Sequence, residues 1–431
     1  MGITHKLHKG LRKVFAVLPR PARFAIYRSF VECDPQPDAR LVLKIAETQQ
    51  ELEACFTLLH DAYVSSGFMK PDPSGMRVTV YHALPTTTTL CAKFDGEVVG
   101  TLSLIRESLI GFPLQSIFDL TEVRARHGHV AEVSALAVHP KFRKTGGSIL
   151  FPLMKFMHEY CRTFFDVRHL VIAVNPNRIE LYESLLLFHR LTQNLVDNYD
   201  FANGAPAVGA TLDLHHAGDR FQRIYGSKSQ RKNLHNYFFE AVLPNIVLPR
   251  RRYHTTNDPV MTPALLDYFF NQRTQVFARL ETRRKVLLRA IYNIDAYQAV
   301  LPRIDDQRVS AHPLRHHDRY SVKCPGLLKV TTARTNAAFE LTLTDLSEFG
   351  FQALCRSALP LGEWGEAQIQ LGQSEQSTVK VMAVRDKANG FAGTYGFKLA
   401  EPDLPWRKFV SALQHGSVDE DLSYATRFLE D

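Results

Sequence analysis

Residues 131–161 constrain the chain more than any other stretch. They read AEVSALAVHPKFRKTGGSILFPLMKFMHEYC, an apolar run, a proline turn, a glycine pair and then apolar residues at helical spacing. The pattern predicts a strand over 131–138 and a helix over 147–162, joined by a bend at Arg143-Lys144-Thr145-Gly146-Gly147-Ser148. Glycines let backbone approach a ligand closely, and the free N–H groups at the start of a helix favour negative charge. Beside Arg143 and Lys144, the bend through Gly146, Gly147 and Ser148 therefore makes a candidate anion site. A pyrophosphate or the phosphate of phosphopantetheine fits it. An ordinary structural turn is the competing reading of a glycine pair before a helix.

The surrounding pattern is mixed. Strands are expected at 41–46, 88–94, 97–106 and 168–174, and helices at 48–62 and 177–188, which is an α/β arrangement. Asp95-Gly96 between two apolar runs signals a hairpin, and Asn203-Gly204 ahead of AVGATLDL signals another turn before a closing strand. Residues 216–302 carry long apolar-periodic stretches broken by Pro249, Pro259 and Pro263, and predict a helical connector. From 303 a polar, Arg- and His-rich segment leads into short strands at 327–332, 339–344, 350–355, 366–371, 377–385 and 391–399, the spacing of a small barrel. The expected organisation is a basic segment at 1–40, an α/β domain at 41–215, the connector at 216–302, a barrel domain at 303–416 and a tail at 417–431.

Length and composition agree with packed domains. The chain has 431 residues, 45% of them apolar and 22% charged, more than one hydrophobic core usually organises. Cys33, Cys55, Cys91, Cys161, Cys324 and Cys355 lack metal-like or C-x-x-C spacing, which predicts buried free thiols, no metal and a reducing cytoplasm. The net charge of +8 suits acidic partners such as nucleotides, acyl carrier protein or anionic lipid, and no nucleic acid is expected. Ile3, Leu7, Leu11, Phe15 and Leu18 recur at helical spacing among Lys, Arg and His. A helix there can lie peripherally on an anionic inner-membrane surface, or pack on its own domain with a solvated basic face.

The bend resembles the acyl-donor loop of the GNAT superfamily, Arg/Gln-x-x-Gly-x-Gly/Ala, with Ser148 at the last position. Downstream, VIAVNPNRIELYESLLLFHR ends a strand at Asn175-Pro176 and opens a helix carrying Tyr182. GNAT enzymes often place a tyrosine there, so the resemblance implies that Tyr182 protonates the departing thiolate; a packed helix tyrosine is the alternative. HDAYVSSGFM, SGMRVTVYHALPTTTTLCAKFDGEVVGTLSL, AEVSALAVHP and NGAPAVGATLDL, in this order, resemble the N-acyl amino acid synthases, relatives of the acyl-homoserine-lactone autoinducer synthases. That resemblance implies transfer of a fatty acyl group from acyl carrier protein or a CoA thioester to the α-amine of an amino acid, with no permanently bound cofactor. The ammonium must lose a proton before attack, and Glu132 on the central strand is the candidate base. Ser134, two residues on, shares its strand face and can position the amine or the thioester carbonyl. A structural ion pair is the alternative for Glu132. Ala135 stands where relatives commonly carry arginine. Acetyl transfer from acetyl-CoA to a small amine or protein, and a non-catalytic effector on a degenerate transferase fold, remain open.

The C-terminal strands follow RHHDR, with Arg315 and Arg319 four apart, and enclose DLSEFG, with Asp345, Ser347 and Gly350. Together these resemble a PilZ domain, which implies a cyclic di-GMP receptor. Arginine forks pair with phosphates or the guanine O6/N7 edge, and a carboxylate accepts from guanine N–H. The joint expectation is a cytoplasmic synthase whose output follows that messenger.

Overall fold

The computed structural model describes residues 17–143, 145–258, 260–292, 294–304, 319–331, 336–386, 393–416 and 418. The basic stripe at Ile3 to Phe15, Lys144 and Arg315 lie outside them.

The N-terminal part holds strands β1 (Leu41–Ile45), β2 (Thr87–Phe94), β3 (Glu97–Arg106), β4 (His129–Val138), β5 (Val167–Val174), β6 (His189–Arg190), β7 (Val196–Tyr199) and β8 (Ala205–Asp213). Its main helices are α1 (Arg20–Ser29), α2 (Gln49–Ser65), α3 (Leu150–Thr163), α4 (Pro176–Leu185) and α5 (Leu214–Tyr225). The strands form one sheet in the order β1-β2-β3-β4-β5-β8-β6, with β7 also pairing with β8. Among the pairs of these described strands, the central β4–β5 pair alone is parallel. Local chemistry sets the boundaries. Thr48 accepts from the Glu51 N–H while the Glu51 carboxylate accepts from the Thr48 N–H, a capping box that opens α2. Asp95 and Gly96 take φ of 51° and 85°, as a two-residue hairpin of the right twist requires.

Both faces of the sheet are covered. One carries Leu153, Phe156 and Tyr160 of α3 with Ala217 and Phe221 of α5. The other carries Leu52, Cys55 and Phe56 of α2 together with Leu266, Phe269, Phe270, Phe277, Leu288, Tyr297 and Leu301. The last seven fall in the stretch read as a connector. Helices are present there, including α6 (Thr282–Ile291), and their apolar side is buried in the core on this face of the sheet, where the Tyr292 hydroxyl donates to the Ala83 carbonyl.

The C-terminal strands are β9 (Tyr320–Thr331), β10 (Asn336–Ser347), β11 (Gly350–Cys355), β12 (Trp364–Gln370), β13 (Gln376–Asp386) and β14 (Gly393–Leu399). They close as an antiparallel barrel in the order β10-β11-β14-β13-β12-β9. A helix the sequence reading did not mark, α7 (Leu404–His415), packs on it. Asp403 caps α7 by accepting from the Trp406 N–H at 2.8 Å, and the buried Trp406 indole donates to the carbonyls of Ser347 and Glu348 at 3.1 Å.

Residues 251–258 tie the two parts together. Tyr253 sits in the barrel core against Phe409, ring centres 4.7 Å apart, while Arg252 pairs with Glu375. Five residues after Tyr253, the buried Asp258 carboxylate accepts from Tyr160 at 2.7 Å and from Thr88, both of the N-terminal part, and from Arg251 at 2.9 Å. The buried Arg106 at the end of β3 donates to Thr256 Oγ1 and to Ser321 Oγ of β9, both at 2.8 Å. Lys323 of β9 pairs with Asp166 ahead of β5. All six cysteines are buried free thiols. Among the described residues no helix is long and apolar enough to cross a membrane.

Candidate active site

Where β4 and β5 part, the sheet opens. Their pairing runs from His129↔Val167 to Glu132↔Val171 and stops, although β5 stays paired with β8 as far as Val174. On its other side β4 makes a bulge against β3, because Ser103 faces Ser134 while Thr101, two residues back, faces Ala137. Ala135 absorbs the extra residue at φ 53°, a left-handed conformation that a non-glycine residue adopts at an energetic cost. The bulge bends β4 away from β5. Val133 to Leu136 and Ile172 to Val174 then line a cavity of about 1180 Å³ that also takes in Tyr27 of α1, Tyr63 of α2 and Tyr182 of α4.

Glu132 lies at the apex of this gap with 2% of its surface exposed. Among the described residues its carboxylate has one hydrogen bond, accepted from the Leu114 N–H at 3.0 Å. Burial pushes the carboxyl up to about 8, and the Leu114 N–H only partly opposes this. A group that titrates near neutrality inside a cavity is suited to proton transfer. Because no cation pairs with it among the described residues, the structural ion-pair alternative has no support. Ser134 lines the same cavity and faces Ser103 across the bulge.

Tyr182 reaches the cavity from α4, which starts where Asn175 accepts from the Asn177 N–H and Pro176 occupies the first turn. Burial, helped by Tyr63, pushes its phenol up to about 12, so at neutral pH it holds a proton that it can donate. Glu132, Ser134 and Tyr182 are thus brought to one cavity.

Gly146 and Gly147 take φ of 66° and 89°, and a side chain at Gly147 would strike the Phe151 ring. Thr145 and Ser148 bond through their hydroxyls at 2.6 Å, and Arg143 Nε turns back to donate to the Val138 carbonyl at 2.8 Å. None of Arg143, Gly146, Gly147 or Ser148 lines the cavity; its closest link is Met154, further along α3. Sequence reasoning missed the aromatic wall of Tyr63, Phe68, Tyr199 and Phe201, and it missed α1, whose Arg23 donates to Glu180 at 3.0 Å and places Tyr27 in the cavity.

On the barrel, Arg319 and Asp345 are ion-paired to each other. Ser347 is buried and donates to the Gly350 carbonyl at 3.0 Å. Gly350 is required by crowding, since a Cβ there would lie 2.7 Å from the Phe397 carbonyl oxygen. Asp345 faces Ser321 across the β10–β9 pair, and Ser321 is the residue that Arg106 reaches.

Residues 54–213 match the family model described as N-acyl amino acid synthase FeeM. No curated protein matches the chain. Among solved structures, FeeM, an N-acyl amino acid synthase from uncultured soil microbes, is 22% identical, covering 42% of this chain and 94% of its own at a TM-score of 0.37. The CoA-dependent acyl-homoserine lactone synthase BjaI is 20% identical, covering 44% and 91% at 0.34. YncA, a putative acetyltransferase from Salmonella typhimurium bound to acetyl-CoA, is 17% identical, covering 41% and 94% at 0.30. The family match spans β4, β5 and α4 of the cavity wall, so over residues 54–213 this chain is similar to the N-acyl amino acid synthases.

Proposed function

We propose that the chain transfers a fatty acyl group from a pantetheine thioester, carried on acyl carrier protein or CoA, to the α-amine of an amino acid, and that cyclic di-GMP governs the transfer. The observation that carries this reading is the buried Glu132 at the parting of β4 and β5, titrating near 8 in one cavity with Tyr182. Glu132, as carboxylate, takes a proton from the substrate ammonium. The neutral amine attacks the thioester carbonyl and the C–N bond forms. The tetrahedral intermediate collapses, the C–S bond breaks, and Tyr182 protonates the leaving thiolate while the amide nitrogen returns a proton to the phenolate. Glu132 releases its proton to solvent, so one N-acyl amino acid, one thiol and one proton result. The bulged strand edge between Val133 and Leu136 offers unpaired backbone groups to the pantetheine arm, as an edge strand does.

Cyclic di-GMP control is supported by the closed barrel and by Arg319, just ahead of β9, and Asp345 in β10. In this reading the messenger takes both groups, breaking the ion pair they now form. Arg315, Arg143 and Lys144 keep the roles read from the sequence, in messenger and donor binding, as proposals. The test is incubation of the full chain with acetyl-CoA, long-chain acyl-CoA or long-chain acyl carrier protein, together with mixed amino acids. Thiol release and a new amide only with long-chain donors support the reading. Consumption of acetyl-CoA alone would replace it with acetyl transfer.

A further inference from the structure

Arg77 is a buried cation for which no carboxylate partner is found among the described residues. Its guanidinium carbon lies 4.2 Å from the centre of the Tyr63 ring and 4.8 Å from that of Phe201, and Nη2 donates to the Phe201 carbonyl at 2.7 Å. Tyr63 and Phe201 both line the cavity, so the charge stands directly behind its wall. The residue is held in place: its N–H donates to the Phe56 carbonyl of α2 at 3.0 Å, and Met76 and Val80 on either side are core residues. Ring faces, the Phe201 carbonyl, the Tyr63 hydroxyl and the Met69 sulfur are all neutral partners that only partly offset the cost of burying a guanidinium, and a full anion brought beside it in that environment is strongly favoured.

Glu132, Tyr63 and Tyr199 line the same cavity, and Tyr199 packs on Phe201 with ring centres 5.8 Å apart. The arginines that line the cavity itself are differently placed. Arg23 and Arg190 are already paired with Glu180 and Glu183, and Arg178 starts α4 on the side of Tyr182 and Tyr27. An α-amino acid has an ammonium and a carboxylate on one carbon, so with its ammonium at Glu132 its carboxylate needs a cation elsewhere at the cavity wall.

We infer that Arg77 is the specificity-determining residue that receives the acceptor's α-carboxylate, so that the enzyme acylates free α-amino acids and rejects amines lacking that group. This rests on the amino acid acceptor proposed above. Arg77 touches neither the thioester nor the amine; it selects and positions the acceptor.

The experiment compares one amino acid with its decarboxylated amine, each with the same long-chain acyl donor, in the wild type, Arg77→Gln and Arg77→Lys, with folding checked by thermal denaturation. In the wild type kcat/KM should favour the amino acid by roughly 10- to 150-fold, the range of a charge-assisted hydrogen bond. Arg77→Gln should bring that ratio close to one through a higher KM for the amino acid, with the KM for the donor within about twofold, as expected when only acceptor binding is lost. Arg77→Lys, which keeps the charge but loses the fork, should fall between. Equal use of the two acceptors by the wild type overturns the inference without any variant, and so does a wild-type ratio in folded Arg77→Gln. Should Arg77→Gln not fold, an unchanged ratio in Arg77→Lys overturns it. Failure of every acceptor with every donor would instead overturn the proposed function.

Discussion

Replacing Glu132 by glutamine keeps the shape of the side chain and removes its titration. The carboxyl is raised from an ordinary 4.5 to about 8 by burial. At pH 7 only about one tenth of the free enzyme then has the base ionised, and kcat/KM should climb about tenfold per pH unit until it levels near 8. Glu132→Gln should lose that limb and retain only the titration of the substrate amine, with activity down by roughly 10²- to 10⁴-fold, the usual worth of a positioned base. Stability provides a second reading of the same group. A carboxyl whose folded value is raised contributes stability that is present in full below about 4.5 and is lost as pH rises through about 8, a difference of roughly 5 kcal/mol across that window. Glu132→Gln should therefore be more resistant to denaturant than the wild type at pH 9 and should lack the decline between pH 5 and 9. The assays are pH profiles of kcat/KM and urea titrations at several pH values. A limb near 8 that persists in folded Glu132→Gln would refute the assignment of the base.

Three further outcomes follow from the geometry. Tyr182→Phe keeps the ring in the cavity but removes the proton donor, so kcat should fall about 10²-fold while donor binding stays within a few-fold, as stopped-turnover and binding assays would show. Asp258→Ala leaves Arg251 and Tyr160 without their buried acceptor and should cost roughly 3 to 5 kcal/mol, read as a lower denaturation midpoint; an unchanged midpoint contradicts the anchoring role of residues 251–258. Saturating cyclic di-GMP should change donor or acceptor affinity by about 5- to 150-fold, and Arg106→Met, which breaks the bond to Ser321, should shrink that change while leaving messenger binding in place. Equal coupling in wild type and Arg106→Met would remove the β3–β9 contact from the route.

What could be read from the residues was what short-range periodicity and turn chemistry encode. Glu132 and Ser134 share a face because strands alternate, and the hairpin at Asp95-Gly96 follows from two residues that accept left-handed backbone. The bulge at Ala135 was not legible, since alanine carries no local preference for φ of 53°; the strain is imposed by pairing with β3 on one side and the opening toward β5 on the other. The sequence predicts a strand at 327–332, yet β9 begins at Tyr320 and runs through Pro325. The proline is tolerated because the β12 side of β9 is paired only from Gly326 onward. The apolar period of residues 263–301 announced helices without saying which core they would bury against, and that choice is a long-range one. Nothing local in the sequence marks Arg77, Arg106 or Asp258, and only the fold shows what each one faces.

The most direct test of the transferase account is a structure of the full chain with a non-hydrolysable thioether analogue of a long-chain acyl donor and an amino acid. The account predicts the donor sulfur in the gap between Val133–Leu136 of β4 and Ile172–Val174 of β5, within hydrogen-bond reach of the Tyr182 hydroxyl, with the amino acid nitrogen directed at Glu132. A donor bound elsewhere, or an amino acid nitrogen directed away from Glu132, would contradict it.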